Sequence, residues 1–252
     1  MKSISIISFF LFQSYLFSQV FEGITLLTNL GGAENIEHKT RLINNNFEEI
    51  NIWHHNDVPF SIGYLSPDSI LTIGYKSDID EGTDPRIVKM NWDGDIIWEA
   101  SIPIDTLEPH HDIEPLPNGN ILLIGWETKT IDEATQVGRI NVTEDFKPDK
   151  ILEIQPSGSD NYEIVWEWKI WDHIIQDINP ELNNYGNISD NPRLVDINLI
   201  GIGQGNGDWM HTNSISYNES LDQIILSVRH LCELWVIDHS TTIGESSGHT
   251  GG

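Results

Sequence analysis

Three short clusters hold the side chains best suited to chemistry: His110-His111-Asp112, His211-Thr-Asn213 and Ser227-Val-Arg229. Arginine offers a charged planar fork, while asparagine and histidine donate directional hydrogen bonds. Such donors suit a reaction in which negative charge spreads over a group in flight, and a histidine can also give or take a proton near neutral pH. The clusters recur at matching places, since His211 lies 101 positions after His110 and Asn213 lies 101 after Asp112. That spacing pairs His110 with His211 but leaves open whether His110 or His111 faces a site. Each histidine alone would pass as a strand-end residue satisfied by backbone. Two placed alike, with Arg229 closing the strand that returns beside the one His211 opens, favour a common anion site. A metal centre competes, because His110, His111, Asp112 and His211 are all ligand types. No tight His-x-His or HExxH spacing supports it, so no metal is expected.

The elements that must hold these residues are short strands. From His110 the chain runs through a Pro-Asn-Gly turn into the apolar stretch Ile121 to Trp126, the pattern of a β-hairpin. Leu65–Tyr75 matches Leu116–Trp126 without a gap, 51 positions upstream, and His211–Tyr217 followed by Gln223–Arg229 repeats the pattern downstream. A hairpin every 50 residues or so predicts a β-propeller. Before it, Gly23–Leu27, His38–Ile43 and Glu49–Trp53 have strand character. Arg86–Met90, an Asn-Trp-Asp-Gly turn and Asp95–Glu99 complete one four-stranded unit. Trp166-Glu167 repeats Trp98-Glu99 in the next. Residues 171–208 are expected to be an irregular insertion, with a helical turn at Trp171–Asp177. Its glycines fit neither GxGxxG before a helix nor GxxxxGK[ST], which removes a phosphate-loop reading. The fold class is therefore all-β, about three blades of a β-propeller with an irregular insertion. Three blades leave a ring open, so either further copies complete it as a homo-oligomer or the chain is C-terminally incomplete.

Charge and composition bound the function. A formal net charge of −26 over 252 residues repels nucleic acid and anionic membranes, and no partner of either kind is expected. It also means that an anionic substrate needs a local positive pocket. Residues 1–18, with Lys2 before a short apolar run, have the form of a secretory signal peptide, leaving 19–252 as the mature domain in the periplasm or outside the cell. The single cysteine, Cys232, cannot form an internal disulfide; its apolar neighbours place it in the core. His54, His55 and His173 are expected on the surface or in loops, and His230 and His239 in structural roles. The acidic stretch Asp78–Asp84 is expected to be a solvated loop.

Taken together, His110 to Asn120, Val165-Trp-Glu-Trp168 leading to Trp171-Asp-His173, Asp208-Trp-Met-His-Thr-Asn213, Ser227-Val-Arg-His230 and Trp235 to Thr242 resemble the arylsulfotransferase family. The resemblance covers nearly all of residues 19–252. It implies a six-bladed propeller that moves a sulfuryl group from an aryl sulfate donor to a phenolic acceptor, with a histidine as covalent carrier and no nucleotide or other cofactor. It further implies that His211 and Arg229, with His110 or His111, are catalytic and that Asn213 binds substrate. The family's carrier histidine lies beyond the region that matches here. A non-catalytic secreted propeller that binds carbohydrate or protein is the other function class the sequence leaves open.

Overall fold

The structure, a computed structural model, describes residues 22–30, 37–77, 83–200 and 207–248. The expected signal peptide, most of Asp78–Asp84 and most of the glycine-rich stretch before Asp208 lie outside them. The regular structure of the described residues is almost entirely β. Strands β1 (Ile24–Thr28), β2 (His38–Asn44) and β3 (Glu49–His55) form one antiparallel sheet. The second sheet holds β4 (Tyr64–Leu65), β5 (Leu71–Tyr75), β6 (Arg86–Met90) and β7 (Ile96–Ser101). The third holds β8 (Glu108–Pro115), β9 (Ile121–Trp126), and, after helix α1 (Ile131–Gln136), β10 (Asp149–Ser157) and β11 (Asn161–Lys169). A parallel pair, β12 (Ile174–Ile175) and β13 (Val195–Asp196), lies in the expected insertion, behind a 3₁₀ turn at Ile170–His173 where a helical turn was expected. The fourth large sheet is β14 (Thr212–Asn218), β15 (Gln223–Val228) and β16 (Glu233–Asp238), followed by the short helix α2 (Ile243–Ser246). Each large sheet is a simple meander, none closes on itself, and there are four of them among the described residues rather than three blade-like units. No described helix is long and apolar enough to cross a membrane.

Turn chemistry sets the hairpins. Gly94 and Gly119 take φ of +88° and +90°, and Asn91 Oδ1 accepts the N–H groups of Asp93 and Asp95. Between turns, alternation sends successive side chains to opposite faces, and in β5 and β9 both faces are buried. Leu71, Ile73 and Val88 pack with Leu42 and Trp53 of the first sheet. Ile87 and Trp98 pack forward against Ile113, Ile121, Leu123 and Leu152 of the third. Leu122, Ile124 and Ile151 pack with Ile215, Ile224 and Leu226 of the fourth. Buried tryptophans in the last strands tie neighbours together: Trp53 Nε1 donates to Asn91 O (2.9 Å) and Trp98 Nε1 to Asn161 O (3.1 Å).

The ungapped repeat turns out to be one residue away from the structural equivalence. Leu65 pairs with Leu71, and Pro115, not Leu116, pairs with Ile121. Leu71 and Ile73 face the preceding sheet, as do Ile121 and Leu123, so equivalent positions are 50 apart. A shift of one residue exchanges the faces of a strand. The matched glycines accordingly make room for different neighbours. A Cβ on Gly74 would meet the Phe60 ring at 2.3 Å, and one on Gly125 would meet Leu107 and the Glu108 carbonyl at 2.6 Å.

Candidate anion site

The first strands of the second, third and fourth sheets meet edge to edge, and carboxylates on β8 join them. Asp112 accepts from Tyr64 Oη (2.7 Å), from its neighbour Ile113 N (3.0 Å) and from Ile215 N of β14 (3.2 Å). Glu114 accepts from Tyr217 N (3.3 Å). Backbone N–H groups on an otherwise unpaired strand edge thus find acceptors. Both β8 and β14 bulge at this seam, between Pro109 and Ile113 and between Thr212 and Ser214. Next to the bulges, His111 and His211 take left-handed backbone conformations, φ 60° and 52°. Non-glycine residues held there cost about 1–3 kcal/mol each and concentrate at functional sites.

An open cavity of about 650 Å³ lies over the seam, lined by His111, Asp112, His211, Asn213, Ser214 and Arg229, with Leu30 and Ile62 on its rim. Hence His111, not His110, faces the space, and it shares this conformation with His211. His211 Nδ1 is bonded to Asp208 Oδ2, which fixes its ring and leaves Nε2 free. The His111 and His211 rings stand 4.5 Å apart, and His230 lies 4.9 Å from His211 on the other side. His230 Nδ1 donates to the Asp208 carbonyl (3.2 Å), so its Nε2 accepts from Arg229 Nη1 (3.4 Å). The guanidinium of Arg229 is thereby aimed from the end of β15. Partial burial, together with the neighbouring His110 and His211, pushes the His111 imidazole down to about 4. Burial raises the Asp112 carboxyl above its usual range, against the pull of its three hydrogen bonds. The cavity therefore offers a neutral imidazole, a second imidazole anchored by a carboxylate, an amide and a guanidinium around one small space.

His110 stands behind this wall. It is 5 % exposed, stacks on Trp126 at 4.1 Å, and bonds through Nε2 to Asp149 Oδ1 (3.3 Å) and through Nδ1 to His111 Nδ1 (3.0 Å). Asp149 also takes the N–H (3.0 Å) and hydroxyl of Thr212. Asp208 opens the motif that ends at Asn213, but Asp149 carries no motif of its own; it is 39 residues from His110, and only folding joins them. Asp208, His211 and His230 bring ligand-type atoms within 4.8 Å of one another, a spacing that a divalent metal could use. Asp208 Oδ2 and His211 Nδ1 already hold each other, and the Arg229 guanidinium beside His230 is a poor neighbour for a cation.

Several histidines and the cysteine lie elsewhere than the sequence suggested. His55 is buried in β3 between Thr40 and Tyr75, and His173 is buried against Trp168 with Nε2 on Ser246 O (2.8 Å). In both cases a polar partner makes burial affordable to an imidazole. Cys232 is exposed in the β15–β16 turn at φ 56°, because the apolar residues around it belong to strand faces while the turn itself faces water. His54 is exposed beside Glu37, as expected. His239 has a structural role, bonded to Asp222 (2.7 Å) and Glu153 (3.0 Å).

No curated protein matches the chain significantly. The family model described as Arylsulfotransferase (ASST) matches residues 52–243, which span the second, third and fourth sheets and every residue lining the cavity except Leu30. With most of its length covered by that match, the chain belongs to the arylsulfotransferase family.

Proposed function

We propose that this protein transfers a sulfuryl group from a phenolic sulfate ester to a phenolic acceptor, without a nucleotide cofactor, the group resting on a histidine between the two half-reactions. The observation that carries the reading is the convergence of His111, His211, Asn213 and Arg229 on one cavity although about 100 residues separate the first from the others. A transferring sulfuryl group places negative charge on three peripheral oxygens, and fixed donors stabilise that charge more than they stabilise the ground state. Arg229 and Asn213 are the donors with no proton to lose, and His211 Nε2 adds a third when protonated. The rim residues Leu30 and Ile62 suit an aromatic ring. On this reading the four meander sheets are successive blades of a propeller, with β4, β8 and β14 as the inner strands of the last three, and the protein works in the periplasm or outside the cell after removal of residues 1–18.

The test uses the full-length enzyme, with the carrier histidine that the resemblance implies, 4-nitrophenyl sulfate as donor and phenol as acceptor. Release of 4-nitrophenolate is followed by colour and formation of phenyl sulfate by mass spectrometry. Phenol-dependent turnover is expected, and Arg229→Ala should reduce it about 100-fold, the usual effect of deleting one oxyanion donor. Release that ignores phenol, or an Arg229→Ala variant with unchanged kinetics, refutes the reading.

A further inference from the structure

Behind the cavity runs a chain of three groups whose hydrogen-bond directions are forced. The Asp149 side chain meets only donors: the Thr212 N–H, the Thr212 hydroxyl and His110 Nε2. As an acceptor-only carboxylate it requires the proton of His110 to sit on Nε2. His110 Nδ1 then carries a lone pair, and the 3.0 Å contact with His111 Nδ1 has one consistent direction, His111 donating. Consequently His111 Nδ1 holds the proton and its Nε2 is the basic nitrogen. Stacking on Trp126 at an interplanar angle of 29° keeps the His110 ring in the plane this arrangement needs. Asp149 sits at the start of β10, paired with Trp126 on β9, so two neighbouring strands hold both supports.

We propose that Asp149 and His110 are positioning residues that fix the tautomer of His111, so that His111 Nε2 is the base that takes the proton of the phenolic acceptor. This rests on the sulfuryl-transfer reading of the cavity. In the step concerned, the acceptor O–H bond breaks and its proton passes to His111 Nε2 while the acceptor oxygen forms a bond to sulfur. The bond between sulfur and the group carrying it breaks, and its electron pair leaves with that group. The proton then passes from His111 to the departing group or to water. His111 is faced by His110 on its own strand, by Asp149 of β10, by Asp208 and His211 ahead of β14, and by Arg229 at the end of β15. Burial, with the imidazoles of His110 and His211 beside it, outweighs the carboxylates of Asp208 and Asp149 and favours its neutral form, the form a base needs.

Two variants separate positioning from mere packing. In Asp149→Asn the amide can still accept from Thr212 but presents N–H to His110, which reverses both tautomers with the bonds kept. His110→Gln places an amide N–H toward Asp149 and a carbonyl toward His111, preserving the direction. Long-range ¹H–¹⁵N spectra of the full chain with ¹⁵N-labelled histidine report the tautomers without any turnover. His111 should carry its proton on Nδ1 in the wild type and in His110→Gln, and on Nε2 in Asp149→Asn. In the nitrophenyl assay Asp149→Asn should lower kcat about 100-fold with KM for phenol within about twofold, as a wrong tautomer does elsewhere, while His110→Gln keeps about a third of kcat or more. A wild-type His111 protonated on Nε2, or His110→Gln as impaired as Asp149→Asn, overturns the proposal. A wild-type chain that transfers nothing overturns the sulfuryl reading and the base role with it, and the spectra still decide the relay.

Discussion

Replacing Asp112 by alanine should unfold the seam between three sheets, not just dent one. Its carboxylate is 7 % exposed and serves Tyr64 of the second sheet, its neighbour Ile113 in the third, and Ile215 of the fourth. Each buried donor left without an acceptor costs about 1–3 kcal/mol, less where water can enter. Three donors at the low end of that range give about 3–5 kcal/mol. That is a large part of the roughly 5–15 kcal/mol that holds a typical domain together. Asp112→Asn should lose less, about 2 kcal/mol, because its single carbonyl still serves part of the set while its N–H₂ opposes one donor. Urea unfolding followed by tryptophan fluorescence is the assay, with the midpoint lowered and the slope unchanged in both variants. If both lie within about 1 kcal/mol of wild type, the carboxylate is not the pin described here. Tyr64→Phe should cost only about 1 kcal/mol, since it removes one bond and strands no donor.

Two further side chains are held by partners whose loss can be measured. Burial opposes the charged form of His239, but Glu153 and Asp222 outweigh it and raise its pKa above 6.5. Its contribution is therefore complete below about pH 6.5 and lost as pH rises through the raised value; His239→Gln should lower Tm more at about pH 6 than at about pH 9, and equal losses would show that the pair carries no charge-dependent stability. Gly74→Ala places a methyl group against the Phe60 ring, a 2.3 Å approach, and should destabilise by about 1–3 kcal/mol, with much of the loss recovered by a second change, Phe60→Leu. A Gly74→Ala protein that melts like wild type would mean that Phe60 packs elsewhere.

The sequence by itself determined the class of the fold and the residue types of the site. Turns marked by Asn-Gly and Asp-Gly separate runs of apolar residues too short for helices, and that suffices for antiparallel meanders. The five stretches between His110 and Thr242, taken together and in their order, also sufficed for the family. What tertiary structure alone decided was the face of each strand. β5 and β9 are buried on both sides, so their sequences are apolar almost throughout, Leu71 to Tyr75 and Ile121 to Trp126. With no polar side to contrast, nothing in the letters distinguishes a 50-residue from a 51-residue repeat, and one residue reverses inside and outside. The same ambiguity hid which of His110 and His111 faces the cavity, because a bulge, and not alternation, orients them. Asp149, Trp126 and Thr212 enter the site through pairing between strands far apart in sequence. Local sequence encodes where a strand begins and ends; which groups meet across a seam is fixed only when the sheets pack.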